Sequence, residues 1–178
     1  MKNTSALTIF NTLQKNLDWD DIYQSTLPDL FNYFLYRTRD EKIAQDLSSI
    51  TLERAWSNKL RYRSDLASVQ SWIFGIARNV FKEYLREHRR NASKLVPLEP
   101  EDSQTDLFDR NKFDTKILLK RLIAMLPEKE QELIALKYGA GLNNREIAKL
   151  LHLSESNVGT RLFRIVESLR KKMEVDNE

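Results

Sequence analysis

Apolar residues recur every three or four positions along almost the whole chain, and the pattern breaks once, between Val96 and Asp109. That period belongs to amphipathic helices; strands need alternation at period two, and nothing alternates so between turn signals. Four glycines and four prolines in 178 residues leave few places where a helix is forced to end. The expectation is an all-α protein of two small helical domains, one on each side of the break.

The break, VPLEPEDSQTDLFD, holds two prolines and the acids Glu99, Glu101, Asp102, Asp106 and Asp109, with no lysine or arginine. Such a composition marks a linker. The predicted organisation is an N-terminal extension over residues 1–19, a first domain over 20–92, the acidic linker over 93–110 and a second domain over 111–175. Unstructured, the stretch from 91 to about 110 spans at most roughly 70 Å, or roughly 25 Å as a relaxed coil, so the two domains could sit on well-separated parts of one target.

Within the first domain, a helix from Asp20 carries Ile22, Leu27, Leu30, Phe31, Phe34 and Leu35, with Pro28 marking a kink or a fresh start. A second, from about Glu41 to Trp56, has the stripe Ile43, Leu47, Ile50, Leu52 and Ala55. A third, from near Ser68 to about Arg90, buries Trp72, Ile73, Ile76, Ala77, Val80 and Tyr84. Beyond the linker the helical pattern returns at Phe113, Ile117, Leu118, Leu122 and Met125. Pro127 opens the next helix, whose positive end suits Glu128, Glu130 and Glu132, and Gly139 to Gly141 stop it.

Residues 144–165, NREIAKLLHLSESNVGTRLFRI, read as two short helices around a tight corner. Asn143 with Glu146 three residues later forms a reciprocal cap, and Ser154 caps the second helix. His152 stands at the corner, where it tolerates a positive φ better than most side chains. Ile147, Ala148 and Leu151 face inward from the first helix, and Val158, Leu162 and Ile165 from the second. Ser156, Asn157, Thr160, Arg161 and Arg164 then face outward, and short polar side chains with arginines are what a helix needs to reach base edges and phosphates in a major groove. The plain alternative is a solvated face of an ordinary helical hairpin.

A second basic feature lies in RYRSDLASVQSWIFGIARNVFKEYLREHRR, residues 61–90. Arg78, Lys82, Arg86, Arg89 and Arg90 follow helical spacing on a face suited to tracking phosphates. The polar loop ahead of them, beside Trp72 and Phe74, could hold unstacked bases; the competing reading makes the aromatics core and the arginines solvated. The net charge of +3 is compatible with a nucleic-acid partner without requiring one.

Several classes are disfavoured. The absence of cysteine removes disulfides and thiolate metal sites, and two isolated histidines, His88 and His152, make no metal centre of their own. No nucleophile–base pair or glycine-rich phosphate loop is present, so neither an enzyme, a cofactor, a metal nor a small-molecule substrate is expected. The opening MKNTSALTIFNTLQKNLDWDD lacks the apolar run of a signal peptide, and no stretch reaches membrane-spanning length, which predicts a cytoplasmic chain.

Four segments in order, LFNYFLYRTRDEKIAQDLSSITLERAW, SDLASVQSWIFGIARNVFKEYLREHRR, LPEKEQELIALKYGAGLNNREIAKLL and LSESNVGTRLFRIVESLRKKM, together resemble the extracytoplasmic-function (group 4) sigma factors of bacterial RNA polymerase, members of the sigma-70 family. The resemblance runs from about Ile22 to Met173. It implies a promoter-specificity subunit with core RNA polymerase and promoter DNA as partners, together with an anti-sigma factor. Gln45, Asp46, Glu53, Arg54 and Trp56 would dock on the clamp helices of the largest polymerase subunit, and the flap of the second largest subunit is a further implied contact. Ser64, Asp65 and Asn79 would belong to a pocket for a base flipped from the −10 element, with Arg78, Lys82 and Arg86 on neighbouring DNA. Ser156, Asn157, Thr160, Arg161 and Arg164 would read the −35 element, and the acidic linker would run toward the RNA exit path.

Several positions depart from the family's usual pattern: Gln45 stands where a second carboxylate is common, SSI at 48–50 where Gln and Glu are frequent, His152 at the corner where glycine is usual, and Gly159 where lysine or arginine is usual, which removes one implied phosphate contact. The nearest rival reading is a stand-alone helix-turn-helix regulator, which leaves the 61–90 stretch without a purpose. A helical adaptor that docks only on proteins is a further rival.

Overall fold

The computed structural model describes residues 18–92 and 110–175, and among them the secondary structure is helical throughout, without strands. The helices are α1 (Trp19–Thr38), α2 (Glu41–Ser57), α3 (Val69–Ala92), α4 (Arg110–Ala124), α5 (Glu128–Ile134), α6 (Asn144–Leu151) and α7 (Glu155–Val175). A 3-10 turn over Lys59–Arg61 follows α2, and α5 runs on into a π-helical turn over Ala135–Gly139. The expected N-terminal extension up to Leu17, and the linker expected at 93–110 up to Asp109, lie outside the described residues.

Local chemistry explains where the helices begin. The Asp18 carboxylate accepts hydrogen bonds from the backbone N–H groups of Asp20 and Asp21 at 3.0 and 3.3 Å, and Asp40 accepts from Ile43 at 2.9 Å. Both aspartates thereby satisfy amides that the first helical turn leaves free. The helix α1 continues through Pro28 without a break, so no fresh start occurs there. Thr26, Leu30, Tyr33 and Phe34 are buried on both sides of the proline, and their packing holds the helix together across the missing hydrogen bond.

The buried face of α2 also differs from the expected stripe. Ile50 is exposed, while Ala44, Ser48, Thr51 and Ala55 join Leu47 and Leu52 inside. Small residues allow α1 to approach closely, and the Ser48 and Thr51 hydroxyls donate to the carbonyls of Ala44 and Leu47, both at 2.7 Å. Their polarity is satisfied within the helix, so burial leaves no unpaired donor. On α3 the inward set is Ile73, Phe74, Ala77, Val80 and Phe81, with Trp72, Ile76 and Tyr84 half-buried at its edge. Met125 is 75% exposed, and Leu122, Ile123 and Leu126 fill the space expected for it.

The two halves are in contact and share one core. Buried residues of α1, α2 and α3 form a single cluster with Leu133, Ile134, Leu136, Leu142 and Ile147 of the second half. The two halves meet backbone to backbone at Gly139, where a Cβ would lie 2.9 Å from Tyr33 Cα and 3.0 Å from Tyr33 N. Only glycine lets the end of the π-helical turn meet the α1 backbone so directly. The turn closes with Ala140 N–H donating to Ala135 at 2.8 Å and Leu142 N–H to Leu136 at 3.1 Å, and Gly141 takes φ +66°.

The hairpin of α6 and α7 has the predicted caps. Asn143 Oδ1 accepts from Glu146 N at 2.9 Å, and Glu146 Oε2 accepts from Asn143 N at 3.1 Å. His152 adopts φ 56°, in the left-handed region. Ser154 Oγ accepts from Asn157 N at 3.2 Å. Replacing Asn143 by Ala should lower stability by about 1 kcal/mol. His152→Gly should raise it by about 1 kcal/mol, because glycine takes that backbone conformation without the steric cost. Chemical denaturation with an unchanged m-value checks both.

Candidate nucleic-acid interface

Ser156, Asn157, Thr160, Arg161 and Arg164 all lie exposed on the outer side of α7, lining one shallow concavity together with Ser154. The opposite side, Val158, Leu162, Ile165 and Leu169, is buried against the helices beneath. Neither Arg161 nor Arg164 has an ion-pair partner among the described residues, so both guanidinium groups face solvent ready for an anion. Gly159 sits at the flank of this face, where a Cβ would be 3.5 Å from Asn144 Nδ2. Position 159 therefore points toward the start of α6. Phe163, 67% exposed, stands beside the polar set, and nothing in the sequence pattern marks it.

On the first half, Ser64 and Asp65 are exposed in the loop before α3. Arg63 clamps Asp65 with two bonds, Nε to Oδ1 at 3.2 Å and Nη2 to Oδ2 at 2.7 Å. That hydrogen bonding holds the Asp65 carboxyl below the usual carboxylate range. The loop is closed by Tyr62, whose hydroxyl donates to the Ala67 carbonyl at 3.1 Å and whose ring lies 5.4 Å from that of Trp72. Asn79, Lys82 and Arg86 are exposed on one stripe of α3. Phe74 is fully buried, which removes it as a stacking surface for a base.

Arg78 belongs to the same row in sequence but not in space. Its side chain is 17% exposed; Nε donates to Glu132 Oε1 at 2.7 Å and Nη1 to the Leu150 carbonyl at 2.6 Å. Further links cross between the halves. Arg37 Nη1 donates to the Glu128 carbonyl at 3.0 Å, Arg39 to Gln131 Oε1 at 3.3 Å, Ser68 Oγ to Glu146 Oε1 at 2.9 Å and Gln70 Nε2 to the Ala140 carbonyl at 3.2 Å. The Arg37 guanidinium also lies 4.5 Å over the Phe81 ring. Arg78, which shares the spacing of the exposed cations on α3, thus joins Arg37 and Arg39 in holding the two halves together.

The third set lies on the outer face of α2. Gln45, Asp46, Glu53 and Trp56 are exposed together, with Ile50 beside them. Arg54 is the exception: its guanidinium pairs with Glu83 of α3 at 2.7 Å and belongs to the packing between those helices. Trp56, 52% exposed, carries the Lys59 ammonium 3.2 Å over its ring and meets Trp19 edge-on at 5.7 Å. Trp19 also packs on Trp72, with centroids 6.5 Å apart, so the first residue of α1 joins the α2 face to the first turn of α3.

Residues 22–91 match the family model for Sigma-70 region 2, and residues 116–169 the one for Sigma-70, region 4. The chain belongs to the sigma-70 family. Among its relatives is the ECF RNA polymerase sigma factor SigM of Bacillus subtilis, 29% identical over 85% of this chain and 92% of that protein. The ECF RNA polymerase sigma factor SigL of Mycobacterium tuberculosis is 27% identical over 84% of this chain and 85% of that one. In fold, the chain is similar to the sigma factor RpoE in complex with the anti-sigma factor NepR from Bartonella quintana. The TM-score is 0.67 at 21% identity, covering 89% of this chain and 98% of that one. CnrH in complex with the cytosolic domain of CnrY gives a TM-score of 0.62 at 17% identity, covering 95% and 97%. This sigma factor is thus a transcription initiation factor of the ECF type that directs RNA polymerase to promoters, and not an enzyme. Among its described residues no helix is long and apolar enough to cross a membrane.

Replacing Trp19 by Ala should uncover Trp56 and Trp72 and lower stability by about 1–2 kcal/mol, since edge-on aromatic contacts add to the area buried. The urea midpoint of the full chain, followed by helical circular dichroism, checks it.

Proposed function

We propose that residues 20–92 form the module that docks on core polymerase and holds the −10 element, and that residues 111–175 read the −35 element. The observation that carries this reading is the face of α7. Five short polar or cationic side chains stand exposed on the first turns of a helix held rigidly by the capped hairpin before it. A helix so presented fits a major groove, its arginines reaching phosphates and guanine edges and its hydroxyl and amide groups other bases. Asn79, Lys82 and Arg86, with Ser64 and Asp65, supply a second DNA face. There an unpaired base exchanges stacking for pocket contacts, which drives strand opening by a few kcal/mol.

The outer face of α2, with Gln45, Asp46, Glu53 and Trp56, supports docking on the clamp helices of the largest polymerase subunit, with the flap of the second largest subunit engaging the C-terminal module. Ile50 and Trp56 give that face an apolar centre within a polar surround, a common composition for a protein interface. The acidic linker lies between the two modules in sequence and suits a basic channel of the polymerase. The solved RpoE is held by the anti-sigma factor NepR and the solved CnrH by the cytosolic domain of CnrY, which supports a partner of the anti-sigma kind for this sigma factor as well. Its place of action is the cytoplasm, where polymerase and promoter are.

The purified chain mixed with bacterial core polymerase and a pool of random-sequence duplexes should enrich two motifs at a fixed separation. Arg161→Ala and Arg164→Ala should each abolish selection at the upstream motif and lower the slope of log affinity against log salt by roughly one unit. Enrichment of a palindrome without polymerase would instead indicate a stand-alone regulator, and no enrichment with polymerase overturns the proposal.

A further inference from the structure

The corner where α1 begins presents more apolar surface than its own neighbours cover. Trp19 meets Trp56 edge-on and the Lys59 ammonium lies over the Trp56 ring, yet half of Trp56 is still exposed. Tyr23, one turn along α1 from Trp19, is 50% exposed, and Ile50 is exposed farther along α2. Aromatic and aliphatic side chains grouped in this way mark a surface that a partner covers.

The chain itself supplies a segment of matching chemistry at that place. Residues 1–17 join the fold at Asp18, directly before Trp19. Asp18 is extended, at φ −71° and ψ 104°, and caps α1, so the chain arriving there does not continue the axis of that helix. Ala6, Phe10, Leu13 and Leu17 recur at helical spacing, the stripe that an amphipathic helix presents to a partner. As a helix, residues 6–17 would extend about 18 Å, and the exposed side of α2 from Asp46 to Trp56 runs about 15 Å. The charges also match. The segment has Lys2 and Lys15 and no acid, while Asp20 and Asp21 open α1 and Asp46 and Glu53 lie exposed on α2.

We propose that residues 6–17 fold back as an amphipathic helix on this corner, with Phe10 and Leu13 against Trp19, Tyr23 and Trp56, and that this segment and the polymerase contend for Trp56. The cover concerns this chain alone. The contention rests on the reading of the outer face of α2 as the polymerase-docking surface. Because the segment is joined to the corner through Asp18, its contact is intramolecular and needs little intrinsic affinity to be occupied. Polymerase then binds only the fraction of chains in which the corner is open, and its apparent affinity falls in proportion to that fraction.

All three tryptophans of the sequence, Trp19, Trp56 and Trp72, lie in this cluster, so the intrinsic fluorescence of the full chain reports on it. F10D and L13D together should raise quenching by acrylamide and shift the emission to the red. They should also tighten binding to core polymerase, by about tenfold for a corner covered roughly nine-tenths of the time. T8D and T12D together add the same charge on the opposite side of the predicted helix and should leave both measurements at the parent's values. A cooperatively folded F10D/L13D chain with the parent's quenching overturns the cover, and so does a T8D/T12D chain that reproduces both effects. Raised quenching in F10D/L13D with unchanged polymerase affinity overturns the contention. If neither the parent nor F10D/L13D binds polymerase, the docking reading and the contention fail together, while quenching still decides the cover.

Discussion

The end of the π-helical turn meets α1 backbone to backbone, and the rest of the arrangement is organised around that contact. With Gly139 lying against Tyr33, the second half is close enough for Leu136 and Leu142 to complete the core begun by Leu30, Phe34 and Phe74. The same proximity brings Glu132 to Arg78 and Glu128 to Arg37. These pairs are weak evidence for stability, because taking charges out of water cancels much of their attraction. Their value is in specificity: they fix which face of the C-terminal half meets α1 and α3.

Electrostatics divides the molecule's arginines into two groups that composition cannot separate. Arg161 and Arg164 stand exposed on α7, while Arg37, Arg54 and Arg78 are committed to Glu128, Glu83 and Glu132. The small net charge therefore understates how cationic the DNA faces are, since several of the acids that lower it neutralise contacts within the protein.

Features governed by neighbours in sequence are legible from the residues alone. The reciprocal cap at Asn143 and Glu146, the left-handed corner at His152, the cap at Ser154 and the outward side of α7 all follow from interactions within four residues. Features that depend on partners far along the chain are not. Arg78 fits the spacing of Lys82 and Arg86, and nothing local says that Glu132 lies across from it. Ile50 reads as core until Ser48 and Thr51 are seen to bury hydroxyls bonded to their own helix. The packing of one half on the other is equally hidden, because its key residue, Gly139, reads as a helix terminator and its polar residues as solvent faces.

The five-residue turn from Ala135 to Gly139 has a consequence for register. A π-helical turn accommodates one residue more than the α-helix it interrupts, and each α-helical residue advances the chain by about 100°. Its last residue, Gly139, is thus rotated from where a continued α-helix would carry it. Losing a single residue here would leave the composition of α6 and α7 intact while taking the glycine off the α1 backbone that it meets. The length of the turn therefore decides whether a residue without a side chain stands where the two backbones touch.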